Sequence, residues 1–376
     1  MKSKNKFFYL DLLRGWAMVI MVEVHVFNAF LRPEIKKETW FSVLNFINGM
    51  VAPSFVFIAG FAFILSSKNN INELRNYGNL FRKKLGRIGL IFFVGYLLHI
   101  PYFSMRNNFL YTDPGLLKSF YNVDVLQCIG AGILMLFISR LIIKSDRIYN
   151  TFIILSLIGF VMGAPFIWNI DFNRFLPLPV ACYFNEVHGS YFPVFPWLGF
   201  LFSGAVVATF LLKARAKGVE DKFMNRLILA GIFFIIITFP LVAWLESFSW
   251  FEVKPSPLFF IQRLGVIFIL LYLFRLYYKK RGERESFFLD MSRESLLVYW
   301  LHLQIIYRIL FNGRSIDNMV NKSFGVIECT AATSALLILM IVVAITWGKI
   351  KKNHPEWGRK IFAAVLIGGM IIFSIT

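Results

Sequence analysis

The densest set of ionisable side chains in an otherwise apolar stretch lies near the start of the chain, in Asp11-Leu-Leu-Arg14-Gly-Trp-Ala-Met-Val-Ile-Met-Val-Glu23-Val-His25. An ionisable group in hydrocarbon costs roughly 2.5–3.5 kcal/mol or more, so each of these asks for a partner or a task. Arg14 and His25 are eleven positions apart, which at about 100° per residue is only about 20° past three turns, so both leave the helix on one face, roughly 16 Å apart along its axis. Asp11, one turn before Arg14, can hold the guanidinium by a charge-assisted bond. Glu23 points about 180° away from Arg14 and must serve a different contact. His25 is the side-chain type that works as a general base near neutral pH; its structural alternative is a histidine hydrogen-bonded between helices. For Arg14 the alternative is a cationic anchor at the membrane interface.

A second set stands in Ser292-Arg293-Glu294-Ser295-Leu-Leu-Val-Tyr299-Trp-Leu-His302, where Ser295, Tyr299 and His302 follow an i, i+4, i+7 pattern and share a face. They can line a polar seam or take part in chemistry. Asp124 and Gln127 are one turn apart at the start of another apolar run, and Arg263 follows Gln262 in a third; these three are candidates for lining a substrate cavity. His99 and His354 read as surface residues. His188, in an outer segment with Asp171, Asn173, Arg174, Asn185 and Glu186, reads as part of a solvated loop that could meet an external polar substrate.

The elements that position these residues are membrane helices. Of 376 residues 58% are hydrophobic and 16% charged, and apolar runs of the length a bilayer requires fall near 16–31, 46–66, 88–104, 122–143, 151–168, 192–212, 227–247, 259–278, 294–312, 326–347 and 361–376. The expectation is an all-α fold, a polytopic membrane helix bundle of about 11 transmembrane helices forming one domain over 1–376. The net charge is +19, which in a soluble chain would suggest nucleic acid. Here the basic residues alternate between connections. Lys2, Lys4, Lys6, Lys68, Arg75, Arg82, Lys83, Lys84 and Arg87 fall on one side, together with the groups after the fourth, sixth, eighth and tenth runs. The positive-inside bias accounts for the charge, sets the N-terminus in the cytoplasm and leaves no role for nucleic acid. The basic start and apolar run look like a signal sequence, but Asp11 and Arg14 interrupt the run and no small-residue cleavage site follows, so a retained first helix is expected. Cys128, Cys182 and Cys329 imply no disulfide framework, and no metal site is expected.

Several landmarks together resemble the heparan-α-glucosaminide N-acetyltransferase catalytic-domain family, within the wider group of transmembrane acyltransferases. They are Leu10-Asp11-Leu-Leu-Arg14-Gly15, Ala52-Pro53-Ser-Phe-Val-Phe-Ile58-Ala-Gly60, Asp124-Val-Leu-Gln127-Cys-Ile-Gly130, Phe195-Pro196-Trp197-Leu-Gly199 with Gly204, Gln262-Arg263-Leu-Gly265, and Ser295-Leu-Leu-Val-Tyr299 with His302. The Arg14 and His25 spacing is also similar to the first-helix signature of related polysaccharide O-acyltransferases, and Lys84-Leu-Gly-Arg87 to their basic pair. Two departures stand out. The outer loop that holds the lysosomal enzyme's proposed active histidine is here Lys36-Lys37-Glu38-Thr39-Trp40, and Cys128 replaces the family's usual Arg.

The resemblance implies an acyltransferase that takes an acetyl or other short acyl group from cytoplasmic acetyl-CoA or another acyl-CoA. The acceptor would be a hydroxyl or amine of an extracytoplasmic carbohydrate. In that reading His25 is the base or acyl carrier, and His302 and Tyr299 orient the acceptor or stabilise an oxyanion. Arg14, Lys83, Lys84 and Arg87 attract the CoA phosphates, and Asp124, Gln127 and Arg263 line the substrate cavity. The expected partners are the lipid bilayer and a carbohydrate or glycan, with room for a homodimer; richness in Lys, Asn, Ile and Phe points to a bacterial inner membrane. The competing reading is a transporter or flippase for a polar or glycan-linked substrate, since intramembrane ionisable residues also mark proton relays and substrate paths.

Overall fold

The computed structural model describes residues 7–67, 71–100, 102–111, 114–249, 251–282, 284–309 and 314–375; Lys2, Lys4, Lys6 and Lys68 lie outside the described residues. In chain order the helices are α1 (Phe8–Phe30), α2 (Thr39–Asn48), α3 (Val51–Ser67), α4 (Ile71–Arg75), α5 (Asn79–His99), α6 (Met105–Tyr111), α7 (Pro114–Phe120), α8 (Val125–Ile142) and α9 (Asp146–Ile167). They continue with α10 (Leu178–Ala181), α11 (Val194–Ala216), α12 (Glu220–Leu245), α13 (Pro257–Arg281), α14 (Phe287–Arg293), α15 (Ser295–Tyr307), α16 (Ile316–Val320), α17 (Val326–Asn353) and α18 (Pro355–Ile375). The fold is all-helical; among the described residues an isolated bridge pairs Leu31 with Phe324. The chain divides into two compact units, one of Met1–Val51, Ile100–Asp113 and Phe274–Thr376, the other of Ala52–His99 and Pro114–Leu273.

Among the described residues eight helical segments are long and apolar enough to cross a membrane: Thr39–Ser67, α8, α9, α11, α12, α13, α17 and α18. The other three sequence-predicted spans correspond to α1, α5 and α15. α1 and α5 have the length but carry charged residues, and α15 has 13 residues, short of the roughly 20 a bilayer needs.

In the first unit α1 is largely buried over its first turns, with Phe8, Tyr9, Leu10, Leu12 and Leu13 shielded and Asp11 and Arg14 partly exposed. Gly15 lets it approach α14 closely: a Cβ there would lie 2.1 Å from the Phe288 carbonyl oxygen. Small residues permit this kind of contact between membrane helices. At its far end α1 is tied to the chain before α17, by Arg32 N–H donating to Phe324 O and Phe324 N–H to Phe30 O, each at 3.0 Å. Because the early residues of α1 meet α14 and its late ones meet α15, α1 and the α14–α15 segment run side by side in the same direction.

The second unit is organised around α11, whose residues Trp197–Ala205 are buried without interruption. It packs on α3 through reciprocal close approaches. A Cβ on Gly60 would sit 1.9 Å from Leu201 O, and one on Gly204 1.9 Å from Phe57 O. On its other flank Phe202 stacks on Phe160 of α9, centroids 5.6 Å apart.

Candidate active site

Arg14, His25, Tyr299 and His302 belong to the first unit. His25 of α1 and His302 of α15 meet with ring centroids 5.2 Å apart. Tyr299 stands edge-on to His302 at 5.9 Å, and Tyr307 edge-on to His25 at 6.0 Å while its hydroxyl donates to the His25 carbonyl at 3.3 Å. His302 is fully buried. Its Nδ1 lies 2.6 Å from the Val298 carbonyl, one helical turn back. A carbonyl can only accept, so the proton is on Nδ1 and the lone pair on Nε2. That Nε2 is buried and has no hydrogen-bond partner among the described residues. Such a lone pair can accept one hydrogen bond or a proton.

Roughly 16 Å along α1 from His25, the Arg14 guanidinium donates from Nε to Ser292 Oγ at 2.7 Å and pairs with Asp11. Both members of the predicted same-face pair therefore meet one continuous partner, α14 and then α15. Glu23, on the other face, accepts from Asn48 Nδ2 of α2 at 3.5 Å. No local pattern assigns Ser292 a role; only the register of α14 against α1 brings it to Arg14. The same holds for Glu294, buried beside Ser292, whose carboxylate takes Lys351 Nζ of α17 at 2.6 Å.

The remaining candidates belong to the second unit. Lys84 Nζ donates to Ser66 Oγ at 2.7 Å and lies 4.3 Å from the centre of the Phe63 ring, so this ammonium is held on α3, while Lys83 and Arg87 are exposed. Asp124 and Gln127 form a capping box at the start of α8. The Asp124 side chain accepts backbone N–H groups of that first turn, and Gln127 Oε1 accepts the Asp124 N–H at 3.3 Å. This is the Asp-x-x-Gln pattern ahead of an apolar run that marks a helix start, a signal legible in the sequence but read there as cavity lining. The Gln127 Nε2 is buried without a partner among the described residues. His99, expected at the surface, is partly buried, with Nε2 3.9 Å from an Asp124 oxygen and Nδ1 3.2 Å from Ser119 O. Arg263 stacks on Phe259, 3.8 Å from the ring centre, and donates to Gln262 Oε1 at 3.3 Å.

In the connection after α9 opposite charges pair. His188 Nε2 lies 2.9 Å from Asp171 Oδ1 and Arg174 Nε 3.5 Å from Oδ2. Desolvation pushes the Asp171 carboxyl up, but the His188 and Asn173 hydrogen bonds and the nearby positive charge outweigh it and hold the group below its ordinary value. Past α1, burial pulls the Lys36 ammonium below its ordinary value, with Lys322 adding to the effect. Burial pushes the Asp317 carboxyl up against the pull of Lys322 and Lys36.

The helical membrane protein thus brings together two imidazoles, the half-buried His25 and the fully buried His302, a pair of groups able to accept and donate protons. Residues 6–237 match the family model for the heparan-alpha-glucosaminide N-acetyltransferase catalytic domain, and the chain belongs to that family of transmembrane acetyltransferases. No curated protein matches the chain. The matched segment holds Arg14, His25, Lys83, Lys84, Arg87, Asp124 and Gln127, whereas Arg263, Tyr299 and His302 follow it.

Proposed function

We propose that this chain transfers an acetyl or other short acyl group from acyl-CoA in the cytoplasm to a hydroxyl or amine of an extracytoplasmic carbohydrate, in the inner membrane of a bacterium. The observation that carries the reading is the His25–His302 pair, 5.2 Å apart at the ring centres, with the His302 lone pair on a buried Nε2. The acceptor hydroxyl or amine loses its proton to an imidazole as its oxygen or nitrogen attacks the thioester carbonyl. The carbon–sulfur bond breaks, and the departing thiolate takes up that proton. His25 is the base or the transient acyl carrier. His302, oriented by Val298, accepts a hydrogen bond from the acceptor or a proton from His25, and the Tyr299 ring packs against it.

Arg14, on the same helix as His25, is the proposed contact for the CoA phosphates; Lys83 and Arg87, exposed on the second unit, are candidates by their charge alone. Lys84 and Arg14 already have partners, Ser66 and Phe63 for the one and Ser292 and Asp11 for the other, so each would bind phosphate by sharing or exchanging them. Asp124, Gln127 and Arg263, in the second unit, stay proposed contacts for a polar substrate, with the Gln127 Nε2 as a donor group. An acceptor screen on sealed vesicles with radiolabelled acetyl-CoA tests the chemistry and its sidedness together. Label on a carbohydrate supplied to the compartment opposite the donor supports the proposal, and label that stays on CoA with every acceptor, in vesicles holding folded protein, rejects it.

A further inference from the structure

A cavity of about 340 Å³ opens in the first unit where α1 begins, α13 ends and α14 starts, and its walls include Phe8, Leu12, Tyr278, Arg281, Arg284 and Glu285. Its volume is within the range of small-ligand sites, roughly 300–1,000 Å³. The floor is apolar: Phe8 and Leu12 pack with Leu289, and Phe8 stacks on Tyr278 at 5.7 Å. The rim is charged and exposed. Arg281 is braced by a hydrogen bond from its Nη1 to the Tyr277 hydroxyl at 3.0 Å, and a guanidinium has about four further N–H donors that can meet a ligand. Gly282, at φ +68°, turns the chain out of α13 so that Arg284 and Glu285 come back to the same rim.

Among the described residues the rim sets two guanidinium groups beside one carboxylate, which suits a ligand with a single phosphate and a cationic end better than the several phosphates of a nucleotide such as CoA. The setting is that of a bilayer surface. α13 is long and apolar enough to cross a membrane, its last turn is Lys279, Lys280 and Arg281, and tyrosines together with basic residues gather at that depth. We propose that the cavity binds the headgroup of an ethanolamine glycerophospholipid. The phosphodiester lies between Arg281 and Arg284, and the primary ammonium donates to Glu285 and faces the aromatic wall. A choline headgroup has no N–H to give to Glu285, and a glycerol headgroup brings no positive charge.

The test is native mass spectrometry of the purified full chain in detergent, titrated separately with phosphatidylethanolamine, phosphatidylcholine and phosphatidylglycerol. Its readout is bound lipid, which does not depend on any transfer activity. The expected result is retention of phosphatidylethanolamine over phosphatidylcholine by about tenfold, the worth of one charge-assisted hydrogen bond. Glu285→Gln should erase that preference, and Arg281→Gln or Arg284→Gln should each weaken retention about fivefold. These side chains are exposed, so lipid-free melting should not move, which separates loss of the site from loss of the fold. Equal retention of the three lipids overturns the proposal. So does a preference for phosphatidylglycerol untouched by Glu285→Gln, which would mean charge attraction alone. Displacement of bound phosphatidylethanolamine by 3′-phosphoadenosine 5′-phosphate would also overturn it, by making the cavity a nucleotide site.

Discussion

Gly15→Ala tests whether α1 is clamped on α14 in the register that brings Arg14 to Ser292. The new Cβ would start 2.1 Å from the Phe288 carbonyl oxygen, where ordinary contact begins at 3.4 Å, and the obstacle is backbone rather than a side chain that can swing away. The two helices must part by about 1 Å, because a packed interior has no slack to absorb the methyl. Overpacking of this kind costs about 1–3 kcal/mol. The Arg14–Ser292 bond, now 2.7 Å, would stretch with it, adding part of the roughly 1.5–3 kcal/mol of a charged hydrogen bond, reduced because Arg14 is partly exposed. At about 2–4 °C per kcal/mol, thermal unfolding in detergent should fall by about 5–10 °C. Gly86→Ala is the control: it lies in a helix with nothing within 4 Å of the added methyl, and should be neutral or stabilising by up to about 1 kcal/mol. Equal melting temperatures for the two variants would refute the clamp.

Gly204→Ala should destabilise through the second unit's α3–α11 contact, since the added Cβ would meet Phe57 O at 1.9 Å; a loss of about 1–3 kcal/mol in urea unfolding is expected. Glu294→Gln removes the buried partner of Lys351 and should lower stability by about 1–2 kcal/mol, below the value for a fully buried pair because the lysine is half exposed; unchanged melting would contradict it. Asp124→Ala removes the α8 cap and should cost about 0.5–2 kcal/mol, seen as faster amide exchange in the first turn of α8. Because the Asp171 carboxyl is held below its ordinary value, its support for the loop is present above the ordinary carboxylate range and lost as pH falls through the folded-state value. Amide exchange around Asn173 should therefore accelerate on acidification in the wild type and show no such acid step in Asp171→Asn.

Most of the helices were legible because an apolar run of bilayer length is a strong signal, but their ends were not. α1 was expected near residue 16 and begins at Phe8. The charges that seemed to interrupt the run are absorbed inside the helix, Asp11 pairing with Arg14 and Ser292 taking the guanidinium. The ninth run was expected to continue to 312, yet α15 ends at Tyr307. Arg308 leaves helical geometry at φ −70s and extended ψ and spends its guanidinium on Gln304 and on the Ile100 carbonyl at 2.8 Å. That partner comes from a distant part of the sequence. In the site, the common face of Arg14 and His25 follows from helix periodicity alone. The meeting of His25 with His302, and the carbonyl that fixes the His302 tautomer, depend on how α1 packs against α15, which no local pattern encodes.

The most direct measurement of the acyl-transfer account is release of free CoA from acetyl-CoA by purified protein offered glucosamine or an oligosaccharide, compared with His25→Ala and His302→Gln. The account predicts acceptor-dependent release by the wild type and a loss of about 100-fold or more in the His25 variant, the usual worth of a general base. It also predicts a clear drop for His302→Gln at unchanged melting temperature. A double variant that still transfers acetyl at the wild-type rate would contradict it.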